Sequence, residues 1–362
     1  MNREVISGRQ LVALIFTFII ATLTLFHPSF VTNHAGQDGW ISVLLAGLIG
    51  VIVVLVVTAL GLKYPQLTLI EYSEIILGKW LGKMVGIIFI IFYLHLTSTI
   101  IRQVSATIRA NVLTGSSLEG ITFILFIISA YTVKKGLEVI TRLNILILMI
   151  TYMAMFACLA FLLKDMNIEL LTPVLSKGFM PVITDSIPVA GVFGEVVSIA
   201  FIIPFINKPK ETRICSIIGV IWASLTLAFL VALVIMVFGA KLPSNLTYPT
   251  LEAVRIINIS DYIQNAEIIF LIPWILSNIV KMCFFYYITI LIISKYFKLE
   301  NRNTIVLPVG LLIFPMSLAL FKNSINIIGF LDKAWGYYSL PIELGIPVIL
   351  LIIGAIRGKR RV

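Results

Sequence analysis

Charge is what this sequence has least of. Asp, Glu, Lys and Arg make up 12% of its 362 residues, about half the share usual in soluble domains, while 60% are hydrophobic. That balance excludes a water-soluble fold and implies an integral membrane protein that buries its surface in a lipid bilayer. Cysteine is scarce as well. Cys158, Cys215 and Cys283 lie in or beside apolar runs without ligand spacing, so they read as small packing residues. The three histidines are scattered, there is no nucleophile elbow, and no helix carries a carboxylate pair. Enzyme chemistry, a metal and a cofactor are therefore not expected. The polar start MNREVISGRQ runs into an apolar stretch with no small-residue cleavage site, which predicts a first span and no signal peptide.

Apolar runs of helical length are what is present. They predict an all-α membrane protein with ten transmembrane helices, over about 10–34, 41–62, 83–113, 118–133, 137–163, 182–206, 214–240, 262–296, 303–321 and 339–357. These runs fill the chain, so one polytopic membrane domain is expected over 1–362. The pI near 9.5 reflects topology, and no nucleic-acid partner is implied. Of the 27 Lys and Arg, only Lys164, Lys177, Lys241, Arg255, Lys322 and Lys333 fall in loops on one side. Arg102, Arg109 and Lys281 lie within spans, and the remaining eighteen share the side of the termini. The positive-inside bias thus predicts both termini in the cytoplasm.

The sixth run, PVITDSIPVAGVFGEVVSIAFIIPF, carries Pro188, Gly191, Gly194 and Pro204, with Glu195 directly after the second glycine. Proline removes a backbone donor and glycine costs about 1 kcal/mol in a helix, so the helix is expected to give way around Ala190 to Gly194. Freed backbone at membrane depth needs protein or a wet cavity around it. An intramembrane Glu at such a break is a candidate site residue, against the plainer reading of a kinked packing helix with a paired Glu. The first run has a small polar patch, Ala21, Thr22 and Thr24, and then Pro28. Paired interruptions in spans 1 and 6 suggest a 5+5 inverted repeat with its site between two broken helices.

Three further features suggest walls for such a site. In span 3, His95, Ser98, Arg102, Ser105 and Arg109 recur every three or four residues and share a face, with Glu195, Asp185 and Glu343 as possible partners of Arg102. In span 8, Trp274, Asn278, Lys281 and Phe285 share a face, and Lys281 is too deep to reach water. Lys281 reads either as the ion-pair partner of Glu195 or as a fixed cation at a carbonyl site. Between spans 2 and 3, KYPQLTLIEYSEIILGKWLGK is amphipathic and reads equally as a helix along the cytoplasmic surface or as one packed against the bundle. The loop from Ala240 to Asp261 contains a short helical pattern that could cap the far end of the bundle.

AGQDGW (Ala35 to Trp40), YPQLTLIEY with ILGKWLGK (Tyr64 to Lys83), GLEVITRLN (Gly136 to Asn144), FGE in span 6 and WILSNIVK in span 8, in this order and spacing, resemble the spore germination permease family. These are the B subunits of GerA-type nutrient germinant receptors, a branch of the amino acid–polyamine–organocation transporter superfamily. The resemblance covers almost the whole chain. It implies a LeuT-type fold with broken helices 1 and 6, the inner membrane of a bacterial endospore, and partnership with an A subunit and a lipoprotein C subunit. The implied function is sensing of a small nutrient such as an amino acid. The implied pocket lies between Ala21, Thr22 and Thr24 of span 1 and Gly191, Val192, Phe193, Gly194 and Glu195 of span 6. Ser98, Arg102 and Asn278 would stand as walls, and Lys281 as ion-pair partner or as the cation where a relative would place sodium. The chain departs from the amino-acid transporters of the superfamily at span 1, which lacks the glycines whose free amides bind a substrate carboxylate there. A proton- or cation-coupled amino-acid transporter is the alternative implied.

Overall fold

The computed structural model describes residues 4–257 and 267–358. Arg3, Lys359, Arg360, Arg361, and the stretch from Asn258 into the expected start of span 8 lie outside the described residues. Among the described residues the chain is helical throughout and forms no strand beyond an isolated bridge between Ile6 and Ile206. Spans 1 to 5 are Gly8–Thr32, Gly39–Gly61, Lys79–Asn111, Leu118–Lys135 and Leu137–Leu162. Spans 6 to 10 are Met180–Phe205, Thr212–Phe238, Glu267–Tyr296, Arg302–Ala319 and Trp335–Arg357. Nine of the ten are long and apolar enough to cross a bilayer by length and composition. The other, span 4, has the length but carries Glu119, Lys134 and Lys135 at its ends, where such charges belong.

Span 1 is the hub. It packs on spans 5, 6, 7 and 8 and on the short helix Pro249–Arg255, and nearly every side chain from Leu11 to Thr32 is buried. It is also unbroken, contrary to the interruption expected near Ala21 to Thr24. The reasons are local. The stretch has no glycine, Thr24 returns its hydroxyl to the Ile20 carbonyl one turn back, and Pro28 leaves a single carbonyl, that of Thr24, without its helical donor. The Thr250 hydroxyl fills that gap, donating to Thr24 O at 2.6 Å. The helix Pro249–Arg255 therefore seals the first span as well as covering it.

Span 6 does change geometry, one turn later than the sequence pattern suggests. Met180–Gly194 is α-helical through Pro188 and both glycines, Glu195–Ser198 tightens to a 3-10 turn, Ile199–Ile202 returns to α, and Ile203–Phe205 is again 3-10 around Pro204. The glycines serve packing rather than chain freedom. A Cβ on Gly191 would come within 2.6 Å of Ser339 Oγ and 3.0 Å of the Gly336 Cα, and one on Gly194 would strike the Glu343 carboxyl. Span 6 and span 10 thus touch backbone to side chain at the level of Glu195. Span 10 itself is α over Trp335–Leu340, a π-helical turn over Pro341–Gly345, and α from Ile346.

At the face that holds both described chain ends, Ile6 N donates to Phe205 O and Asn207 N to Ile6 O, each at 2.9 Å, pinning the N-terminal segment to the end of span 6. Glu4 pairs with Arg302 and accepts from Tyr287 Oη. The amphipathic linker forms the helix Leu69–Leu77 behind a Thr68–Glu71 capping box. It buries Leu69, Ile70, Tyr72 and Ile76 against the bundle, while Trp80 already belongs to span 3 and is exposed.

Candidate functional site

Where spans 1, 6 and 8 meet, three polar side chains converge inside the apolar core. Lys281 Nζ lies 2.6 Å from Glu195 Oε2, and it donates to the Thr22 hydroxyl. Its charge also sits 5.5 Å from the centre of the Phe285 ring, one turn along the same helix. One turn earlier, Asn278 Nδ2 donates to Ala21 O and to Trp274 O, both at 3.0 Å, tying span 8 to span 1. Span 8 therefore presents these residues on one face, with Lys281 ion-paired to Glu195 of span 6 and donating to Thr22 of span 1. Taking both charges out of water costs several kcal/mol per ion, which the short pair and the hydroxyl offset in part. Such a pair sets how the three spans fit together more than how stable they are.

The 3-10 turn positions Glu195. In the α-helix preceding it, Gly191 and Gly194 face span 10, and the tighter turn swings the next side chain toward span 8. Ala21 and Thr24 line a narrow crevice with Thr151, Trp274 and Ser277 that holds about 10 Å³, at the threshold for one water molecule. The site is closed around its own side chains. Val192 and Phe193 are buried beside it and supply only apolar packing.

Two expected wall residues stand elsewhere. Ser98 donates to Leu94 O in its own helix and reaches Ile313 O of span 9 at 3.4 Å. Arg102 donates to the carbonyls of Phe321 and Lys322 just beyond span 9, with its nearest contact at 2.7 Å. None of Glu195, Asp185 and Glu343 is its partner. At Ser98 and Arg102 the span 3 stripe meets span 9, whose C-terminal carbonyls can hold a guanidinium without a carboxylate, while His95 of the same stripe packs against Phe330 and Tyr338. Asp185 instead accepts the backbone N–H groups of His34 and Ala35, both at 2.8 Å, and contacts His34 Nδ1 at 2.6 Å, closing the loop after span 1 onto span 6.

Sequence reasoning gave no central place to Glu343. It is fully buried in the π-helical turn of span 10, against the Glu195–Ser198 turn, and among the described residues neither carboxyl oxygen meets a well-placed hydrogen-bond partner. Its signal was a lone carboxylate in PIELGIP, between two prolines, much as Glu195 follows two glycines.

The model of the family described as spore germination protein matches residues 5–325. Spore germination protein YndE of Bacillus subtilis (strain 168) is 29% identical over 360 residues, covering 98% of this chain and 97% of that protein. Spore germination protein KB of the same organism is 27% identical over 368 residues, with 100% and 97% covered. In fold, the chain is similar to MhsT, solved in complex with L-phenylalanine, at a TM-score of 0.69 and 15% identity over 98% of this chain and 99% of that one. That likeness, the ten helices and the altered sixth span define a LeuT-type membrane fold, and by the family match over most of its length the chain belongs to the spore germination protein family.

Proposed function

We propose that the chain is the nutrient-binding B subunit of a spore germinant receptor. In this reading it lies in the inner membrane of a bacterial endospore with both termini in the cytoplasm, and it works with A and C subunits. The nutrient is an amino acid or a similar small molecule, and its site is the junction of Ala21, Thr22 and Thr24 with Gly191 to Glu195, Asn278 and Lys281. The observation that carries the reading is the buried Lys281–Glu195 pair at 2.6 Å, held by groups from three spans. A zwitterion is the natural competitor for such a pair. Its ammonium replaces Lys281 at Glu195 and its carboxylate replaces Glu195 at Lys281, so one ion pair opens and two form. The 3-10 turn of span 6 then shifts against span 10. Binding can drive that shift only by its differential affinity for the open and closed arrangements.

Glu195→Gln tests this. It keeps volume and leaves Lys281 the Thr22 hydroxyl and an amide oxygen but no counter-charge, so thermal unfolding checks that the variant is folded, and in folded protein the nutrient response of spores is expected to weaken. Normal response of Glu195→Gln spores, at the usual nutrient concentration, overturns the site. Accumulation of an amino acid by vesicles holding this chain alone replaces the receptor with a proton- or cation-coupled transporter.

A further inference from the structure

The core holds more acid than base. Glu195, Lys281 and Glu343 are all buried, in adjoining turns of spans 6, 8 and 10, so with every group ionised the cluster carries two negative charges against one positive. Glu195 has the ammonium. Among the described residues Glu343 has no such partner: it makes no salt bridge, neither of its oxygens has a well-placed hydrogen bond, and what reaches it is the Ser339 hydroxyl one turn back, in poor geometry, and the more distant charge of Lys281. The other titratable groups facing Glu343 are Tyr93 of span 3 and Tyr338 of its own span, neither of which brings positive charge. Span 2, which also packs on this turn, carries no ionisable side chain from Trp40 to Gly61. An uncompensated carboxylate in such a place costs several kcal/mol. The π-helical turn that presents Glu343 is itself a rare geometry, frequent at functional sites.

We infer that Glu343 is a proton-binding site: in the closed arrangement its carboxyl carries one proton, which makes the three-residue cluster neutral. The proton is a ligand of the closed state. Water reaching Glu343 as span 6 separates from span 10 solvates the carboxylate and releases the proton, so opening the cluster and losing a proton are one event. This holds whether the chain senses a solute or moves one, and it does not depend on the identity of the nutrient.

The test is infrared spectroscopy of the purified full chain in nanodiscs at neutral pH, with the side-chain carboxyl carbon of Glu labelled with carbon-13. Wild type is expected to show one protonated-acid carbonyl band at the labelled frequency. Glu343→Asp is expected to lose that band and gain an unlabelled one, and Glu343→Gln to lose it outright. A labelled band that persists in Glu343→Asp places the proton on another glutamate and overturns the assignment. Absence of any acid band in wild type also overturns it, as does a sodium-dependent rise in the unfolding temperature of wild type that Glu343→Gln abolishes, since a bound cation would then balance the charge. Should Glu343→Gln fail to fold, the wild-type and Glu343→Asp spectra still decide.

Discussion

Span 8 carries two lysine–glutamate pairs at two depths. Lys281 and Glu195, in the middle, have side chains 0% and 2% exposed and lie 2.6 Å apart. Lys295 and Glu71, fourteen residues further on and at the end of the bundle, are 39% and 29% exposed and 3.0 Å apart. The chemistry is the same and the surroundings are not. Water screens the outer pair, and a lost partner there is replaced by solvent. No solvent waits at the inner pair, so each of its charges depends on the other. The same bond is therefore a minor fastening at the end of the helix and a condition of the packed core in its middle.

Breaking the inner pair from one side gives the largest effect. Lys281→Met leaves Glu195 buried without a counter-charge and is expected to cost about 3–5 kcal/mol. Removing both charges in Lys281→Met/Glu195→Gln is expected to regain most of that stability, because a neutral pair of similar volume needs no compensation. Thermal unfolding of the purified protein followed by size-exclusion chromatography reads both. If the double variant is as unstable as the single one, the two residues are not each other's counter-charges.

A smaller change sharpens the contrast by disturbing only the inner region. Gly191→Ala places a methyl against Ser339, Trp335 and the Gly336 backbone, and because backbone cannot swing aside, about 1–3 kcal/mol of strain is expected. The displaced span 6 should carry Glu195 away from Lys281 and leave Glu71–Lys295 untouched. A melting temperature unchanged from wild type would show that spans 6 and 10 are less tightly fitted than their contact indicates.

Much of this arrangement was legible beforehand because the bilayer makes it so. Apolar runs of helical length locate the spans, and a deep Lys281 in a charge-poor chain has to find a carboxylate or a ring of carbonyls. What was not legible depends on neighbours in space. Thr250 repairs the carbonyl that Pro28 frees in span 1, across 226 residues of sequence, so a proline that looked like an interruption leaves a continuous helix. Gly191 and Gly194 read as breakers, yet they are the contact surface for Gly336 and Glu343, and only the shape of span 10 explains them. The face of span 3 was readable from its spacing, but not that span 9 would receive it with bare carbonyls. Periodicity tells which residues travel together; it does not tell what they meet.

The outer pair gives the smallest effect and a pH signature. Burial pushes the Glu71 carboxyl up, but the Thr68 backbone N–H, the Lys295 ammonium and the Thr68 hydroxyl together hold it below its ordinary value of 4.5. A carboxyl lowered on folding stabilises the folded state above its unfolded value, and that contribution disappears as pH falls through the folded value. Glu71→Gln retains an oxygen for the Thr68 cap and removes only the charge. Wild type should therefore be more stable than Glu71→Gln by less than about 1 kcal/mol at neutral pH. The difference should shrink in high salt, begin to fall as pH drops below 4.5, and vanish once pH has passed below the lowered value of the folded carboxyl. Paired unfolding curves across that pH range measure it. A difference that survives in acid would assign the role of Glu71 to its cap alone, and Lys295 would then be a bystander to a helix start rather than the outer counterpart of Lys281.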